Sequence, residues 1–380
     1  RVKPGHTAEL CSDYVLLHAG SVIIRLTYMY LFSYRRHGAF SLCALLVMLL
    51  APQPSTAQTN APAQDSSKTH SDVEAGPVVA VDGATLRLGG VYQMDFTAQD
   101  TDEASGFDLR ATIVSHGLEA FLQTEFTGAP AVFDARLRYP FSEYARVSAG
   151  LFKSPFSRSH LISRPDLPFT ERPLAVDAIA PRRQVGLSAR VHAPSEWVSL
   201  TGGIFNGNGR TVAPNDNQHF LYVGRATLRP EVAGGVLSIA GNIANSVDER
   251  VPLEALSPSF SGTRTVYGAD ASYVRDRWLL AVEGLMAELD PTSGEDQIST
   301  GGYVVGGVPL FAQTLQLVGR YQRFDPDTGS VGAVARVEAG LNYRPSPTVR
   351  LQFSGGFPTE ELPGDDDGLR ATLRLQLALR

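Results

Sequence analysis

Residues 369–380 read LRATLRLQLALR. Side chains on a strand alternate between two faces. One face here is Leu369, Ala371, Leu373, Leu375, Leu377 and Leu379; the other is Arg370, Thr372, Arg374, Gln376, Ala378 and Arg380. The first face suits hydrocarbon and the second suits water. The same division recurs in FDARLRY (133–139), TLQLVGRYQ (314–322) and VRLQFS (349–354). A polar face this charged beside a leucine face this continuous predicts a strand with lipid on one side and an aqueous interior on the other.

Sixteen such segments can be marked: 84–97, 106–116, 118–126, 132–139, 144–152, 183–192, 196–205, 218–229, 235–244, 263–275, 277–288, 298–308, 313–323, 332–343, 347–356 and 368–380. Segments 235–244, 277–288 and 298–308 alternate poorly. Links after even-numbered segments are short, such as 140–143 and 193–195, and those after odd ones are mostly longer. That asymmetry fits an outer-membrane barrel with periplasmic turns and outer loops. In hydrocarbon every backbone polar group needs an internal partner, which only a helix or a closed barrel supplies. No segment past residue 57 is long and apolar enough for a spanning helix. The expectation is an all-β, transmembrane antiparallel β-barrel of 16 strands over 84–380.

Ahead of it, RRHGAFSLCALLVMLLAPQPSTA (35–57) has a basic start, a short apolar run and a small-residue end, the layout of a secretory signal peptide. With Met29 as a sensible start, 29–57 reads as that signal, 1–28 as upstream translation without structure, and the polar stretch 58–83 as a flexible periplasmic linker. Removing 1–57 leaves 28 basic and 37 acidic residues, a net charge of -9, and no cysteine. Disulfides and cysteine metal sites are therefore excluded.

Between the fifth and sixth segments lies GLFKSPFSRSHLISRPDLPFTERPLAVDAIAPRRQVG (150–186), too long for an ordinary connection and too aromatic for disorder. Its cations Lys153, Arg158, Arg164, Arg172, Arg182 and Arg183 outnumber Asp166, Glu171 and Asp177. Folded inward it would form a constriction lined by guanidinium groups; left outside it would be a solvated loop.

Alternation also assigns inward basics Arg87, Arg110, Arg136, Arg138, Arg146, Arg190, Arg225, Arg229, Arg320, Arg336, Arg350, Arg370 and Arg374. The inward acids are Asp95, Glu119, Glu125, Asp134, Asp270, Glu283 and Glu338, so the lumen comes out positive, which favours anions.

GLFKSPFSRS, LPFTERP, APRRQVGLSARV, FLYVGRATLRPE, YGADASYVRDRWLLAVEGLMAEL and LQLVGRYQRFDPD followed by AGLNYRPSPTVRLQFS together resemble the phosphate-selective porin O and P family of Gram-negative outer membranes. The resemblance implies a sixteen-stranded, usually homotrimeric barrel carrying anions through an arginine-lined channel, inorganic phosphate being the leading solute. By motif it implies roles for Lys153, Arg172, Arg183, Arg225 and Arg320; Arg136, Arg138 and Arg350 join them by alternation alone. Outer-membrane lipid and the barrel assembly machinery are the implied partners, and no cofactor, metal or nucleic acid is called for. Family members commonly end in an aromatic residue that this machinery reads, whereas here the last residues are Leu379 and Arg380. Two readings stay beside the phosphate pore: a general porin, and a plugged structural or receptor barrel. GxSxG, HExxH and P-loop patterns are absent from the sequence, so an enzyme is not expected.

Overall fold

The computed structural model describes residues 16–19, 22–25, 78–81, 84–97, 103–115, 117–126, 129–210, 215, 217–253, 256–311, 314–327, 332–360 and 370–379. Two units divide the chain, 1–60 and 61–380. In the first, Leu16–Ala19 pairs antiparallel with Val22–Arg25. The expected signal segment 29–57 and residues 58–77 of the expected linker lie outside the described residues.

The second unit is a closed antiparallel barrel. Its sixteen wall strands are β1 Ala84–Thr97, β2 Glu103–Ser115, β3 Leu118–Glu125, β4 Ala131–Ser142, β5 Ala145–Lys153, β6 Arg183–His192, β7 Val198–Phe205 and β8 Leu221–Leu228, followed by β9 Gly235–Leu253, β10 Ser257–Arg275, β11 Trp278–Pro291, β12 Gln297–Leu310, β13 Leu315–Asp325, β14 Val334–Tyr343, β15 Val349–Glu360 and β16 Arg370–Leu379. Closure runs through β16 against β1, from Thr372↔Thr97 to Leu379↔Gly90. Val78–Val81, within the expected linker, pairs with the start of β1 where β16 does not reach.

The alternation sorts as its chemistry requires. Leu137, Leu200, Leu280, Phe353 and Leu373 are exposed on the outer surface while Arg136, Ser199, Ala281, Gln352 and Arg374 are buried on the inner one. Phe141, Tyr144, Trp197, Trp278, Phe311 and Tyr343 stand exposed at or beside the short turns, forming the aromatic girdle of a membrane interface. One expected boundary is corrected. The chain between 244 and 263, expected as an outer loop, is mostly strand, because β9 continues to Leu253 and β10 begins at Ser257.

Inside the wall the faces are not uniform. Leu221, Val223, Ala244, Val266, Leu285, Leu289, Tyr303, Val305, Val318 and Phe324 give β8–β13 an apolar inner surface. Packed on it are Phe156, Phe169, Ala175, Val176 and Ile179 of the segment joining β5 to β6. Two glycines make room. A Cβ on Gly301 would lie 2.6 Å from that of Ala175, and one on Gly268 would meet Phe156 at 3.3 Å. Strands 277–288 and 298–308 alternate poorly in sequence because both of their faces are covered by apolar matter, lipid outside and the segment inside.

Candidate functional site: the β5–β6 segment and the arginines around it

The segment leaves β5 after Lys153 and returns at Arg183. It contains a short helix α1, Arg158–Leu161, a 3-10 turn, Arg164–Asp166, and a second helix α2, Leu174–Ile179. Proline confines the turn: Pro165 lies in its first positions and Pro173 caps α2, where a missing N–H costs nothing.

Polar contacts fix the segment to the wall. Glu283 of β11 is 1% exposed and accepts the backbone N–H of Arg158 at 2.8 Å, that of Ser159 at 3.1 Å and the Tyr303 hydroxyl at 3.0 Å. Gln322 accepts Leu174 N–H at 2.7 Å. Arg350 donates to the carbonyls of Pro165 and Leu167 at 2.6 and 2.7 Å. Arg374 donates to Thr170 O at 2.9 Å and to both oxygens of Asp95 at 2.6 Å across the β16–β1 seam. Arg320 donates to Glu171 O at 3.0 Å, pairs with Glu338, and lies 4.5 Å from the Phe169 ring. Three wall arginines therefore spend donors on carbonyls of the segment, which carries no regular ladder to satisfy them.

The remaining expected residues fall into two groups. Arg225, Arg136, Arg138, Arg164 and Arg183 are ion-paired. Arg225 binds both oxygens of Asp270 at 2.7 and 3.0 Å, Arg136 and Arg138 share Glu119 at 3.0 and 3.3 Å, and the half-exposed Arg164 reaches Glu125 at 3.4 Å. Arg183 pairs with Asp134 at 3.0 Å, and Arg183 and Arg210 each stack 4.3 Å from the Phe133 ring.

Lys153 and Arg172 form the other group, meeting no carboxylate among the described residues. The Lys153 ammonium donates to the carbonyls of Leu161 and Ile162 at 3.2 and 2.8 Å. Arg172 donates to those of His160 and Ile162 at 3.4 and 2.8 Å, and its Nε is buried without a partner. Arg183 and Arg110 also act on Lys153, with Asp134 opposing. Burial lowers the Arg172 guanidinium to about 10, with Asp177 opposing the shift and Arg183, Arg164 and Arg182 adding to it, so it stays charged at neutral pH. His160, buried next to them, is held well below its ordinary value by burial and then by Lys153 and Arg172; it is neutral. Arg182 donates to the carbonyl of Asp177, and Arg158 is buried against Tyr303. Beside the segment a small recess opens between Thr170, Glu171 and the inner faces of β14–β16, with Arg370 bridging to Glu171 at 3.0 Å.

Alternation finds Arg374 and Glu283 on the inner face, but their partners are set by register and by the fold of the segment. Arg264, bound to Asp248 at 2.7 Å, lies within the expected segment 263–275 and was not assigned to the inner face, and its partner Asp248 lies on the part of β9 that extends past the expected end at 244.

A family model described as phosphate-selective porin O and P matches residues 106–379. No curated protein matches the chain. Among solved structures, the in-vitro folded OmpT of Vibrio cholerae in its trimer form is 13% identical, with 78% of this chain and 100% of that one covered and a TM-score of 0.55. Salmonella typhi OmpF in complex with daunomycin is 13% identical over 80% of this chain and 100% of that one, TM-score 0.57. The anion-selective porin from Comamonas acidovorans is 12% identical over 78% and 99%, TM-score 0.53. At such identities the likeness shows the barrel fold alone.

Proposed function

The chain belongs to the phosphate-selective porin O and P family of the Gram-negative outer membrane, and on that premise we propose that it conducts small anions passively, inorganic phosphate being the leading solute, as a channel and not an enzyme. The observation carrying this reading is the surplus of cations where the β5–β6 segment meets the wall. Arg172, Arg183 and Arg110 act there on Lys153, and Arg183, Arg164 and Arg182 on Arg172, against Asp134 and Asp177. Such a cluster behind a low-dielectric wall attracts anions, and guanidinium forks match phosphate oxygens.

In this reading the segment is the constriction. Lys153, Arg172 and Arg183 bind the passing anion, with Arg158, Arg164 and Arg182 on the same segment. Arg136 and Arg138 continue the path along β4. Arg225, Arg320 and Arg350 border it while holding the wall and the segment in shape. The trimer form of the similar Vibrio cholerae protein supports a homotrimer, set in outer-membrane lipid and inserted by the barrel assembly machinery.

The zero-current potential of residues 58–380 in a planar bilayer under a KCl gradient tests the proposal. Anion selectivity that phosphate suppresses supports it, and Arg172→Glu with Arg183→Glu is expected to reduce or reverse the preference. A cation-selective wild type overturns it. The apolar packing of the segment on β8–β13 favours a plugged barrel as the second reading, which an absence of current would select.

A further inference from the structure

The seam between β16 and β1 joins strands far apart in sequence: Gln93 and Gln376, bonded across it at 2.9 Å, lie 283 positions apart. Bringing such distant strands together costs more chain entropy than closing a hairpin. Side chains fasten the seam toward its loop end, where Gln93, Asp95 and Thr97 meet Gln376, Arg374 and Thr372. Toward the turn end β16 stops pairing at Leu379↔Gly90, while β1 continues back to Ala84 with β2 along its other edge. Residues 84–89 of β1 thus overhang β16. Leu86 and Leu88 share the outward parity of Phe96, which pairs with the exposed Leu373. The overhang therefore borders hydrocarbon, where an open strand edge is costly.

Val78–Val81 lies along this overhang, from Val78↔Arg87 to Val81↔Ala84. Since β2 occupies the other edge of β1, the short strand takes the β16 edge and runs in the direction of β16, in line with it. Its connection to β1 is Asp82-Gly83, a dipeptide favoured in two-residue hairpin turns, so the pairing forms locally at small entropic cost. The donors can be followed along the seam. Ala378 gives its N–H to Thr348, away from β1, so Leu377 and Leu379 turn theirs toward β1. Their partners Tyr92 and Gly90 face β16 in return, and the unbroken register of β1 brings Leu86 and Ala84 to the same edge. Val79 and Val81 are therefore the residues that bond to the overhang, and the N–H groups of Val78 and Ala80 point away. We propose that Val78–Val81 is a clasp that completes β16 and keeps the turn end of the closing seam from peeling open, including the pairs at Leu377–Leu379 that the clasp does not itself make.

The test is backbone amide exchange, read residue by residue on the folded, heat-modifiable chain 58–380 in detergent micelles. Val79→Pro removes a donor to β1 and is expected to speed exchange at Leu377 and Leu379 by about tenfold or more, as local opening spreads past the lost pairing. Ala80→Pro removes an N–H that points away and is expected to leave those rates within about twofold. Amides of β10 and β11, away from the seam, serve as the internal standard. Wild-type rates at Leu377 and Leu379 in Val79→Pro overturn the clasp, even where Ala84 and Leu86 exchange faster, because the strand then protects only its own pairing. Equal effects of the two prolines overturn the assigned edge and the proposal with it. If Val79→Pro does not reach the folded form, Val79→Gly with Val81→Gly is measured, which weakens the strand without removing a donor. Faster exchange at Leu377 and Leu379 then supports the clasp, and wild-type rates overturn it.

Discussion

Replacing Glu283 with leucine tests whether the β5–β6 segment is held by that one carboxylate. The carboxylate satisfies three buried donors, the N–H groups of Arg158 and Ser159 and the Tyr303 hydroxyl. Each buried donor left without an acceptor costs about 1–3 kcal/mol, so three sum to roughly 3–9 kcal/mol. Part of this is offset, because leucine also removes a buried negative charge standing opposite Asp270; a net weakening of about 2–5 kcal/mol is the expectation. The barrel itself need not unfold, so the readout must be local. Trypsin cleaves after Arg158, which is buried in the packed segment, and cleavage in the limit of fast reclosing follows the population of the released form. At about 1.4 kcal/mol per decade the predicted increase in cleavage rate is about 30- to 5,000-fold. A Glu283→Leu barrel that is folded, heat-modifiable and cut after Arg158 at the wild-type rate would refute the reasoning.

Gly301→Val should release the segment too, since its Cβ would stand 2.6 Å from that of Ala175; overpacking of this kind costs about 1–3 kcal/mol, read as faster cleavage after Arg158. Asp95→Ala leaves Arg374 buried at the seam without its carboxylate, and a loss of about 3–5 kcal/mol should lower the temperature at which the barrel loses its folded mobility on gels. Acid should loosen the segment through His160. Its packed form titrates below the ordinary value, so beneath about pH 6.5 the released form binds a proton that the packed form refuses, and packing weakens as pH falls. Cleavage after Arg158 should therefore quicken between pH 7.5 and 5.5 in the wild type, and His160→Gln should flatten that change.

The barrel was legible because lipid and the interior impose opposite chemistry on alternate residues, and β1 and β6 begin and end where the pattern does. The pattern fails where the chemistry changes. Past Ala244, β9 carries Asn245, Ser246, Asp248 and Glu249, polar on both faces, so the strand looked like a loop. In β11 and β12 the inner face is apolar because the segment covers it, and alternation fades for the opposite reason. Inward arginines could be read from parity, but not which of them were already engaged. Arg320 finds Glu338 on the next strand, and Arg374 finds Asp95 across the closing seam, and such pairings exist only once the register does. The carbonyls that occupy Arg350 belong to a proline-rich stretch whose path no periodicity encodes.

The apolar inner surface of β8–β13 also bears on how the strands choose their alignment. In a strand with unlike faces, slipping by one residue turns every hydrophobic side chain the wrong way, and the sequence itself forbids the error. In β11 and β12, where both faces are apolar, that safeguard is weak. What remains to tell the correct pairing from its neighbours is a handful of singular residues: Glu283, which must meet the start of α1, and Gly268 and Gly301, which leave room for Phe156 and Ala175. The β5–β6 segment thus serves as the template against which its own wall is counted.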